Sequence, residues 1–399
     1  MSELNRRNFI ALSAATAAFM GSARNLAALQ PPKPGPYTLV AAIDHDRILR
    51  EANHWLPEVP ETITAYPSPR SPGGLHDFFS EADYFWPNPK NPNGPYINRD
   101  GQSNPANFQL HRQAMIRLSL AVPALTAAYL LTHRPAYAQA AARHLTAWFV
   151  TTSTCMNPNL QYAQGYHGGP TGRSYGIIDT LHLVEVARAT SFLQEALGPN
   201  WAGVQTWFHD YLDWLKTSAP GIKERDAKNN HGICWALQAA EFARLIKDEA
   251  TRDEVRTRWE TIQLPDQMGP DGSFPRELAR TKPYSYSIFN FDVAAGLCWS
   301  LSAPGSNGAE SRFALPDGRG MCRAAAFLEP YLADKSQWPY KQDVEHWENL
   351  PVRSPGLLFC GLACDRKEYV AVWRRLNPDP TDPEIIRNYP IRQPLLWVA

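Results

Sequence analysis

The sequence predicts an all-α protein folded as an (α/α) toroid, and three observations lead to this fold class. Apolar residues recur at helical spacing in successive segments between residues 105 and 376, whereas the alternation typical of strands is scarce. Helices joined by loops pack as antiparallel hairpins, and enough hairpins form a bundle, a solenoid or a toroid. No fixed-period repeat of the solenoid kind is present in the sequence, which favours the toroid.

The first predicted helix of this series follows Asn104, a residue suited to capping a helix, with Pro105 at the first helical position. Pro123 is expected to kink it, because proline removes a backbone donor and its ring clashes with the preceding turn. Connections rich in Gly, Pro and Asn separate the later segments. These further helices are predicted at about 135–150, 177–197, 200–217, 230–248, 251–262, 288–302, 320–332 and 366–376.

The N-terminus has the features of an export signal rather than of a folded element. Arg6 and Arg7 precede a short Ala-rich apolar run that ends in small residues, and a Pro-rich stretch follows, which is typical of a twin-arginine signal. We therefore predict that residues 1–30 are the signal, that residues 38–399 form a single domain, and that the protein is periplasmic or secreted. A frayed N-terminal helix is the alternative.

The charge balance excludes some partners. Lysine plus arginine and aspartate plus glutamate number 39 each, so no basic surface of the kind that binds nucleic acid or an anionic membrane is indicated. No later stretch approaches the roughly 18 apolar residues of a membrane span, so no membrane partner is expected after export. A polyanionic substrate would need a locally basic cleft, and the oligomeric state stays open.

The six cysteines do not indicate a disulfide scaffold, because such scaffolds are short and dense in cysteine. Only Cys360 and Cys364 lie close together in the sequence. They lack a second Cys/His pair at metal-ligand spacing, so packed thiols or one local disulfide are favoured over zinc. The sequence contains no cluster of metal-ligating residues, and no metal ion is predicted.

Two long segments, 57–104 and 151–176, are rich in Pro, Gly, Asn and aromatic residues rather than in solvating charge. Loops of this length within a compact domain are usually functional. Tyr84 and Trp86 in the first segment are suited to stacking on sugar rings. The second segment is interpreted either as a structural loop or as a polar wall for substrate, formed by Asn159, Gln164, Tyr166, His167 and Arg173.

The motif KNNHG, beginning at Lys228, marks the predicted start of a helix whose apolar face continues through Trp235. A helix start offers free backbone N–H groups and a partial positive charge. Asn229 and Asn230 could hold a carboxylate there, with His231 beside it to exchange a proton. Taken alone, the motif fits equally well an asparagine that caps the helix and a histidine that packs in the core.

A second motif, DGSFPRELARTKPYSYSIFN, places Arg276 and Arg280 before Tyr284, Tyr286 and Asn290. An arginine fork binds a carboxylate through two hydrogen bonds. Such a cation is also expected to lower the pKa of a neighbouring tyrosine, which would allow the tyrosine to remove a proton. The alternative is a solvated basic loop followed by ordinary interfacial tyrosines.

These motifs, together with DYFWPNPKNPNGPYINRDG and MNPNLQYAQ, occur in an order that resembles the alginate-lyase-type polysaccharide lyases of the chondroitin/alginate lyase superfamily. The resemblance extends over about residues 40–395. It implies an (α/α) toroid that is often incomplete, a cleft for a polyuronate, and an elimination that needs no metal or other cofactor. It also implies that Asn230 and His231 are the family's Asn-His pair, Arg280 its carboxylate-binding arginine, and Tyr286 its catalytic tyrosine.

One departure from the family pattern concerns the tyrosine. The better-known alginate lyases carry it in a Tyr-His-Asn setting, whereas three residues separate Tyr286 from Asn290 here, which leaves Tyr284 as a rival. Removal of the weakly acidic C5 proton requires neutralisation of the adjacent carboxylate, for which Asn230, Arg280 and His231 are suited. In mannuronate or glucuronate one tyrosine could act as base and then acid, whereas guluronate would require His231 as base.

The predicted function is therefore cleavage of a β-1,4-linked uronic-acid polymer, either polymannuronate (alginate) or glucuronan, by β-elimination, which leaves 4,5-unsaturated uronosyl ends. A glycoside hydrolase on the same fold is one alternative and would need two facing carboxylic acids. Asp83, Asp179 and Glu277 are candidates for them, but they form no recognisable pair in the sequence. A non-catalytic periplasmic protein that binds oligouronates is the other alternative.

Overall fold

Helices dominate residues 35–399, which are the residues that the computed structural model describes and which form one compact unit. The predicted signal at residues 1–30 lies outside them. The longer helices, numbered in chain order, are α1 (Pro36–Trp55), α2 (Leu110–Thr132), α3 (Pro135–Phe149), α4 (Leu183–Thr190), α5 (Trp201–Thr217), α6 (Ala219–Arg225), α7 (Asn230–Ile246), α8 (Glu249–Arg258), α9 (Pro283–Leu301), α10 (Met321–Ala333), α11 (Pro355–Ala363) and α12 (Lys367–Arg375).

An inner row of helices packs side by side in the order α2, α4, α7, α9 and α11. Helices α3, α5, α8, α10 and α12 pack on the outside of this row, so that inner and outer helices form hairpins. Almost every residue of α9 is buried, because this helix is covered on all sides by its neighbours. The arrangement is a helical (α/α) toroid, as the sequence predicts.

The C-terminal segment, residues 376–399, connects the two ends of the row. The guanidinium group of Arg47 on α1 lies 2.6 Å from the carboxylate of Asp379. Arg353, just before α11, pairs at 2.6 Å with Asp44 on α1. These two ion pairs, of which Arg353–Asp44 is buried, hold the first helix against the last third of the chain.

Four short strands join the two long loops instead of forming a separate layer. β1 (Phe79–Glu81) pairs in parallel with β4 (Tyr162–Gly165), so that segment 57–104 lies against segment 151–176. β2 (Phe85–Trp86) and β3 (Ile97–Asn98) form an antiparallel pair within the first loop. The two segments that the sequence marks as functional are therefore neighbours.

The starts of α7 and α9 are defined by local chemistry. Asn229 has an extended backbone and precedes the first turn of α7, as expected for an N-cap residue, although its side chain makes no capping hydrogen bond. Pro283 occupies the first turn of α9, where a missing N–H costs nothing. The carboxylate of Asp343 accepts hydrogen bonds of 2.9 Å from the backbone N–H groups of Tyr284 and Ser285, which compensates the positive end of α9.

Several predicted boundaries were wrong. Helix α2 begins at Leu110 rather than after Asn104, because the Asn104 side chain donates to the carbonyl of Phe85 and fixes the loop instead of capping a helix. α2 then continues through Pro123 to Thr132. The predicted helix 177–197 is interrupted: a 3₁₀ segment (Ser174–Thr180) precedes α4, and a short turn (Gln194–Leu197) follows. The helices α1, α6 and α11 were not predicted.

The cysteine prediction also needs correction. Cys364 forms a disulfide with Cys322, 42 residues away in the sequence, and not with Cys360. Cys360 lies within α11 and is a buried free thiol. The partner on α10 is invisible to sequence spacing because it depends on how α10 packs against α11.

Helix α2 contradicts the expectation that no later stretch approaches the composition of a membrane span. Its 23 residues have a mean hydropathy of 1.6 in the most apolar window, but 67% of that window is buried inside the protein. A long apolar helix that is covered by protein is typical of the core of a soluble fold. We therefore attribute the apolar composition of α2 to its position in the core of the toroid.

Candidate active site

A cavity of about 520 Å³ lies at the N-terminal ends of α7 and α9 and is bordered by both long loops. Its volume is within the range of ligand-binding sites. The residues that line it come from six parts of the chain: segment 57–104, Arg112 of α2, residues 164–182, the start of α7, residues 280–289 at the start of α9, and the C-terminal segment. Asn230, His231, Arg280 and Tyr286, the four predicted catalytic residues, all line this cavity.

Asn230 is held from behind by a buried carboxylate. Its backbone N–H and its side-chain Nδ2 both donate to Glu277, each at 2.8 Å. Burial raises the pKa of Glu277, an effect that the two hydrogen bonds from Asn230 oppose. Because Nδ2 is anchored to Glu277, the amide group of Asn230 has a fixed orientation beside the first turn of α7.

His231 is oriented by a second buried carboxylate. Its Nδ1 lies 2.5 Å from Oε1 of Glu224, a residue of α6 that is 1% exposed. A carboxylate accepts hydrogen bonds, so Nδ1–H is the donor and Nε2 is left available on the other edge of the ring. The ring also packs edge-on against Tyr175, with 4.9 Å between the centroids.

Arg280 and Tyr286 form a stacked pair. The Arg280 guanidinium lies 4.0 Å from the centroid of the Tyr286 ring. The same guanidinium makes two hydrogen bonds to Asp100, of 2.6 and 3.2 Å. Asp100 also accepts a hydrogen bond from the hydroxyl of Thr281, and these partners lower the pKa of its carboxyl against the opposing effect of burial. Asp100 in the first loop therefore positions the arginine that covers the tyrosine.

The pKa of Tyr286 differs from the expectation. Burial is the largest effect and raises its pKa well above the ordinary value, while the lowering effect of Arg280 is smaller. The arginine does lower the pKa of Tyr286, as predicted, but burial outweighs it and the net pKa is raised. The Tyr286 hydroxyl lies 3.0 Å from the hydroxyl of Tyr84, which gives its proton a hydrogen-bonding partner.

A buried ionic network forms the floor of the cavity. Asp83 pairs with Arg112 of α2 at 2.6 Å and with Arg387 of the C-terminal segment at 2.5 Å. Arg112 also pairs with Asp179, and Arg387 with Glu384. Burial tends to raise the pKa of Asp83, but the two arginines outweigh burial and the net effect is a lowered pKa.

His182 lies beside this network and lines the cavity. Burial, together with Arg392, Arg112 and Arg387, lowers its pKa well below the ordinary value. The imidazole of His182 is therefore neutral at neutral pH. It can exchange hydrogen bonds at the floor without adding charge.

The predicted substrate-binding residues fall into two groups. Asn229, Gln164, Arg173 and Tyr84 line the cavity. The others lie outside its lining. Among these, Tyr166 stacks on Phe85 at 4.1 Å, so it supports the wall from behind. Five others lie near the surface. Trp86 contacts Arg99, His167 contacts Tyr96, and Asn159 accepts a hydrogen bond within its own turn. Lys228 is exposed, and Arg276 pairs with Asp266.

Three predicted substrate-binding residues lie in the core, and their assignment is corrected. Trp235 is 1% exposed and its indole N–H donates to the carbonyl of Leu215. Tyr284 is fully buried and its hydroxyl donates to the carbonyl of Tyr331, which removes it as a rival of Tyr286. Asn290 is also fully buried. None of the three is among the residues that line the cavity.

Sequence reasoning missed several residues of the site. Glu224 and Asp100 orient His231 and Arg280, yet neither lies within a motif that announces this role. Arg112 and Arg387 were also missed, since they reach the floor from α2 and from the C-terminal segment. Asp83 and Asp179, the candidate acids of a hydrolase, are the sequence feature that could have pointed to these arginines. Arg112 forms ion pairs with both carboxylates, and Arg387 forms one with Asp83.

Comparison with known proteins shows the family to which the chain belongs. The family model described as alginate lyase matches residues 62–338, which is more than half of the chain. A crystal structure of an alginate lyase from Bacteroides ovatus shares 30% sequence identity and a TM-score of 0.77, covering 90% of this chain and 93% of that one. No curated protein sequence matches the chain.

Two further structures show alginate lyase A1-III in complex with a tetrasaccharide. They share 15% and 14% identity and TM-scores of 0.45 and 0.46. The matches cover 78% and 82% of this chain, and 84% and 86% of the chains of those two structures. The likeness is too distant for residue-by-residue inference.

The chain belongs to the alginate lyase family. It is accordingly an enzyme, a polysaccharide lyase whose substrate is an anionic polysaccharide. The non-catalytic alternative is thereby set aside.

The role of Asp100 gives a first prediction. In Asp100→Asn, the amide N–H₂ faces the guanidinium and the paired hydrogen bonds to Arg280 are lost, so we expect kcat/KM to fall about 10- to 100-fold. The melting temperature should change little, since the Asp100 side chain is one-third exposed, at 33%. Steady-state kinetics on a polyuronate that the enzyme cleaves, and a thermal melt, check the two expectations.

Asp317→Asn is the matched control, because Asp317 pairs with Arg319 at the surface, outside the cavity. We expect its kinetics to equal those of the unmodified enzyme. Unchanged kinetics in Asp100→Asn would show that Arg280 does not depend on Asp100 for its position.

Proposed function

We propose that the enzyme cleaves a β-1,4-linked polymer of uronic acid, polymannuronate in alginate or glucuronan, by β-elimination that leaves 4,5-unsaturated uronosyl ends. The observation that carries this proposal is the stacked pair of Arg280 and Tyr286, which faces the same cavity as Asn230 and His231. It combines groups that neutralise a carboxylate with groups that transfer a proton.

The first requirement of the reaction is stabilisation of the charge that develops on the uronate carboxylate when the C5 proton leaves. Arg280 supplies a positive charge, and the side-chain amide of Asn230 supplies a hydrogen-bond donor. Glu277 and Asp100 hold these donors in place before substrate binds. Such preorganisation stabilises the transition state without reorganisation during the reaction.

The second requirement is a base and an acid. In a same-face elimination, Tyr286 removes the C5 proton and the same hydroxyl returns a proton to the bridging oxygen. The neighbouring hydroxyl of Tyr84, 3.0 Å away, can hold or relay that proton. In an opposite-face elimination, as guluronate would require, Nε2 of His231 is the base and Tyr286 the acid. We favour the same-face reaction on mannuronate or glucuronate.

The positions of the carboxylates argue against a hydrolase. A glycoside hydrolase needs two carboxyl groups that face the scissile bond. Asp83 and Asp179 are both paired with Arg112, and Glu277 accepts two hydrogen bonds from Asn230. None of these three carboxylates is free to protonate a leaving group or activate water.

We also propose that the enzyme is exported by the twin-arginine route to the periplasm or beyond. Arg6 and Arg7, followed by the apolar run, support this proposal. The disulfide between Cys322 and Cys364 also supports it, since disulfides persist in oxidising compartments. A polymer substrate too large to enter a cell would be met there.

The central test is substitution of the tyrosine. Tyr286→Phe removes the hydroxyl and is expected to lower kcat on polymannuronate or glucuronan by about 10²- to 10⁴-fold. Tyr284→Phe is the matched control, because it removes an equivalent hydroxyl from the core and should retain most of the activity. The measurement is the ultraviolet absorbance of the unsaturated product, with alginate, polymannuronate, glucuronan and hyaluronan as substrates. Absence of this absorbance with every substrate would refute the proposed reaction.

The raised pKa of Tyr286 predicts a pH dependence. Because burial raises this pKa, the neutral hydroxyl predominates at neutral pH, and the base form becomes more abundant as pH rises. If Tyr286 is the base, kcat/KM should rise with pH above neutrality, approaching about tenfold per pH unit on the rising limb. A pH profile measured on polymannuronate that is flat above neutrality would assign the base to another group.

Export can be tested in cells of the source organism. Replacing both Arg6 and Arg7 by Lys should retain the protein in the cytoplasm, because the paired arginines are the recognised feature of the signal. Arg24→Lys, a change within the same predicted signal, should leave export intact. Fractionation followed by immunoblotting measures the distribution, and continued export of the doubly substituted protein would contradict the proposal.

A further inference from the structure

Four arginines line the cavity, and they differ in whether a carboxylate neutralises them. Arg112, Arg280 and Arg387 each pair with at least one aspartate or glutamate at 3.0 Å or less. Arg173 has no carboxylate of residues 35–399 within the 4.0 Å limit of an ion pair. Arg173 is therefore the lining arginine without an ion pair, and the carboxylates of Asp179 and Asp83 act on it only from a longer distance.

Arg173 is nevertheless held firmly. Its Nε donates to the carbonyl of Gln164 at 2.8 Å, and its Nη2 donates to the side-chain Oε1 of the same residue at 3.1 Å. The guanidinium also lies over the rings of Phe85, Tyr175 and Tyr166, at 4.7, 5.2 and 5.7 Å from their centroids. These contacts fix the orientation of the cation, but they are made by neutral groups and do not cancel its charge.

The remaining donor of the fork is unused within the described part of the chain. No hydrogen bond from Nη1 of Arg173 to residues 35–399 is present, although Nε and Nη2 are both engaged. Burial is the largest effect on the Arg173 pKa and lowers it, as expected for a cation that is removed from water without a full counter-charge. An anionic ligand would supply the missing charge.

Arg173 is close to the reacting end of the cavity without being part of it. The Tyr175 ring contacts both Arg173 and His231, with 5.2 Å from its centroid to the guanidinium carbon and 4.9 Å to the imidazole centroid. Arg173 and His231 therefore occupy neighbouring parts of one wall. Arg280 belongs to a different element and already has its own role at the C5 carboxylate.

We propose that Arg173 forms a second carboxylate-binding subsite, for the uronate adjacent to the one that loses its C5 proton. The inference rests on the proposed function. It assigns a residue to the choice of substrate: through Arg173 the enzyme selects polymers in which successive residues carry carboxylates over polymers in which uronates alternate with neutral sugars. Arg173 is a specificity-determining residue in this scheme and takes no part in proton transfer.

The test is a cycle of two enzymes and two substrates. The enzymes are the unmodified protein and Arg173→Gln, and the substrates are polymannuronate and the same polymer with about half of its carboxyl groups converted to methyl esters. On the native polymer, Arg173→Gln should raise KM about 10- to 100-fold and change kcat by only a few-fold, since a charge-assisted hydrogen bond is lost. Esterification should then reduce kcat/KM much less in Arg173→Gln than in the unmodified enzyme.

Two further variants control for charge and folding. Arg173→Lys keeps the charge without the fork, and it should recover part of the lost affinity and of the sensitivity to esterification. Arg99→Gln removes an exposed arginine near Trp86 that does not line the cavity, and it should behave as the unmodified enzyme in the whole cycle. If esterification reduces kcat/KM by the same factor with and without Arg173, the second subsite does not exist.

Binding measurements separate this inference from the proposed reaction. If the unmodified enzyme forms no unsaturated product from any polyuronate, the proposed function fails, and the subsite is then tested by calorimetry with saturated oligomannuronates. Weaker binding by Arg173→Gln that is specific to the unesterified oligomer would support the subsite. Equal binding by both proteins would overturn it.

Discussion

The rest of the site depends on the pairing of the buried charges around Asp83. Removing a charge from water costs several kcal/mol unless a partner and hydrogen bonds compensate for it. Asp83 in the first loop can be largely removed from water, with 13% of its side chain exposed, only because Arg112 of α2 and Arg387 of the C-terminal segment meet it there. The pairing thereby fixes three distant parts of the chain relative to one another. Tyr84 is the next residue, so the same constraint brings its hydroxyl to within 3.0 Å of Tyr286.

This constraint also explains which chemistry the cavity can perform. Its carboxylates are used in holding cations and amides: Asp83 and Asp179 hold Arg112, Asp100 holds Arg280, and Glu277 holds Asn230. The groups left to meet a substrate are then donors, cations, tyrosine hydroxyls and one edge of the His231 imidazole. A site built in this way can stabilise a developing anion and move a proton, but none of the carboxylates that line it among residues 35–399 is free in the way that glycoside hydrolysis requires.

The sequence predicts those parts of the site that lie together along the chain. Asn230 and His231 are adjacent, and Arg280 and Tyr286 share one segment, so local pattern and resemblance are enough to find them. The choice between Tyr284 and Tyr286 is different, because two residues along a helix point to nearly opposite faces. Only the start of α9 at Pro283 and its packing decide that Tyr286 faces the cavity and Tyr284 the core. Glu224, Asp100 and Arg387 could not be found, since tertiary packing alone brings them to their partners.

The two groups proposed to transfer protons, His231 and Tyr286, are held by separate sets of neighbours, and this bears on which uronate the proposed reaction cleaves. Glu224 sets the orientation of His231 from behind α7, whereas Tyr84 and Arg280 set the surroundings of Tyr286. The identity of the base therefore depends on which face of the sugar ring is turned toward Tyr286. That choice is made by the groups that hold the carboxylates. In the proposed subsite, Arg173 binds the carboxylate of the neighbouring uronate. This contact restricts rotation of the sugar polymer about its glycosidic bonds, and it thereby selects the face of the next sugar that is turned toward Tyr286.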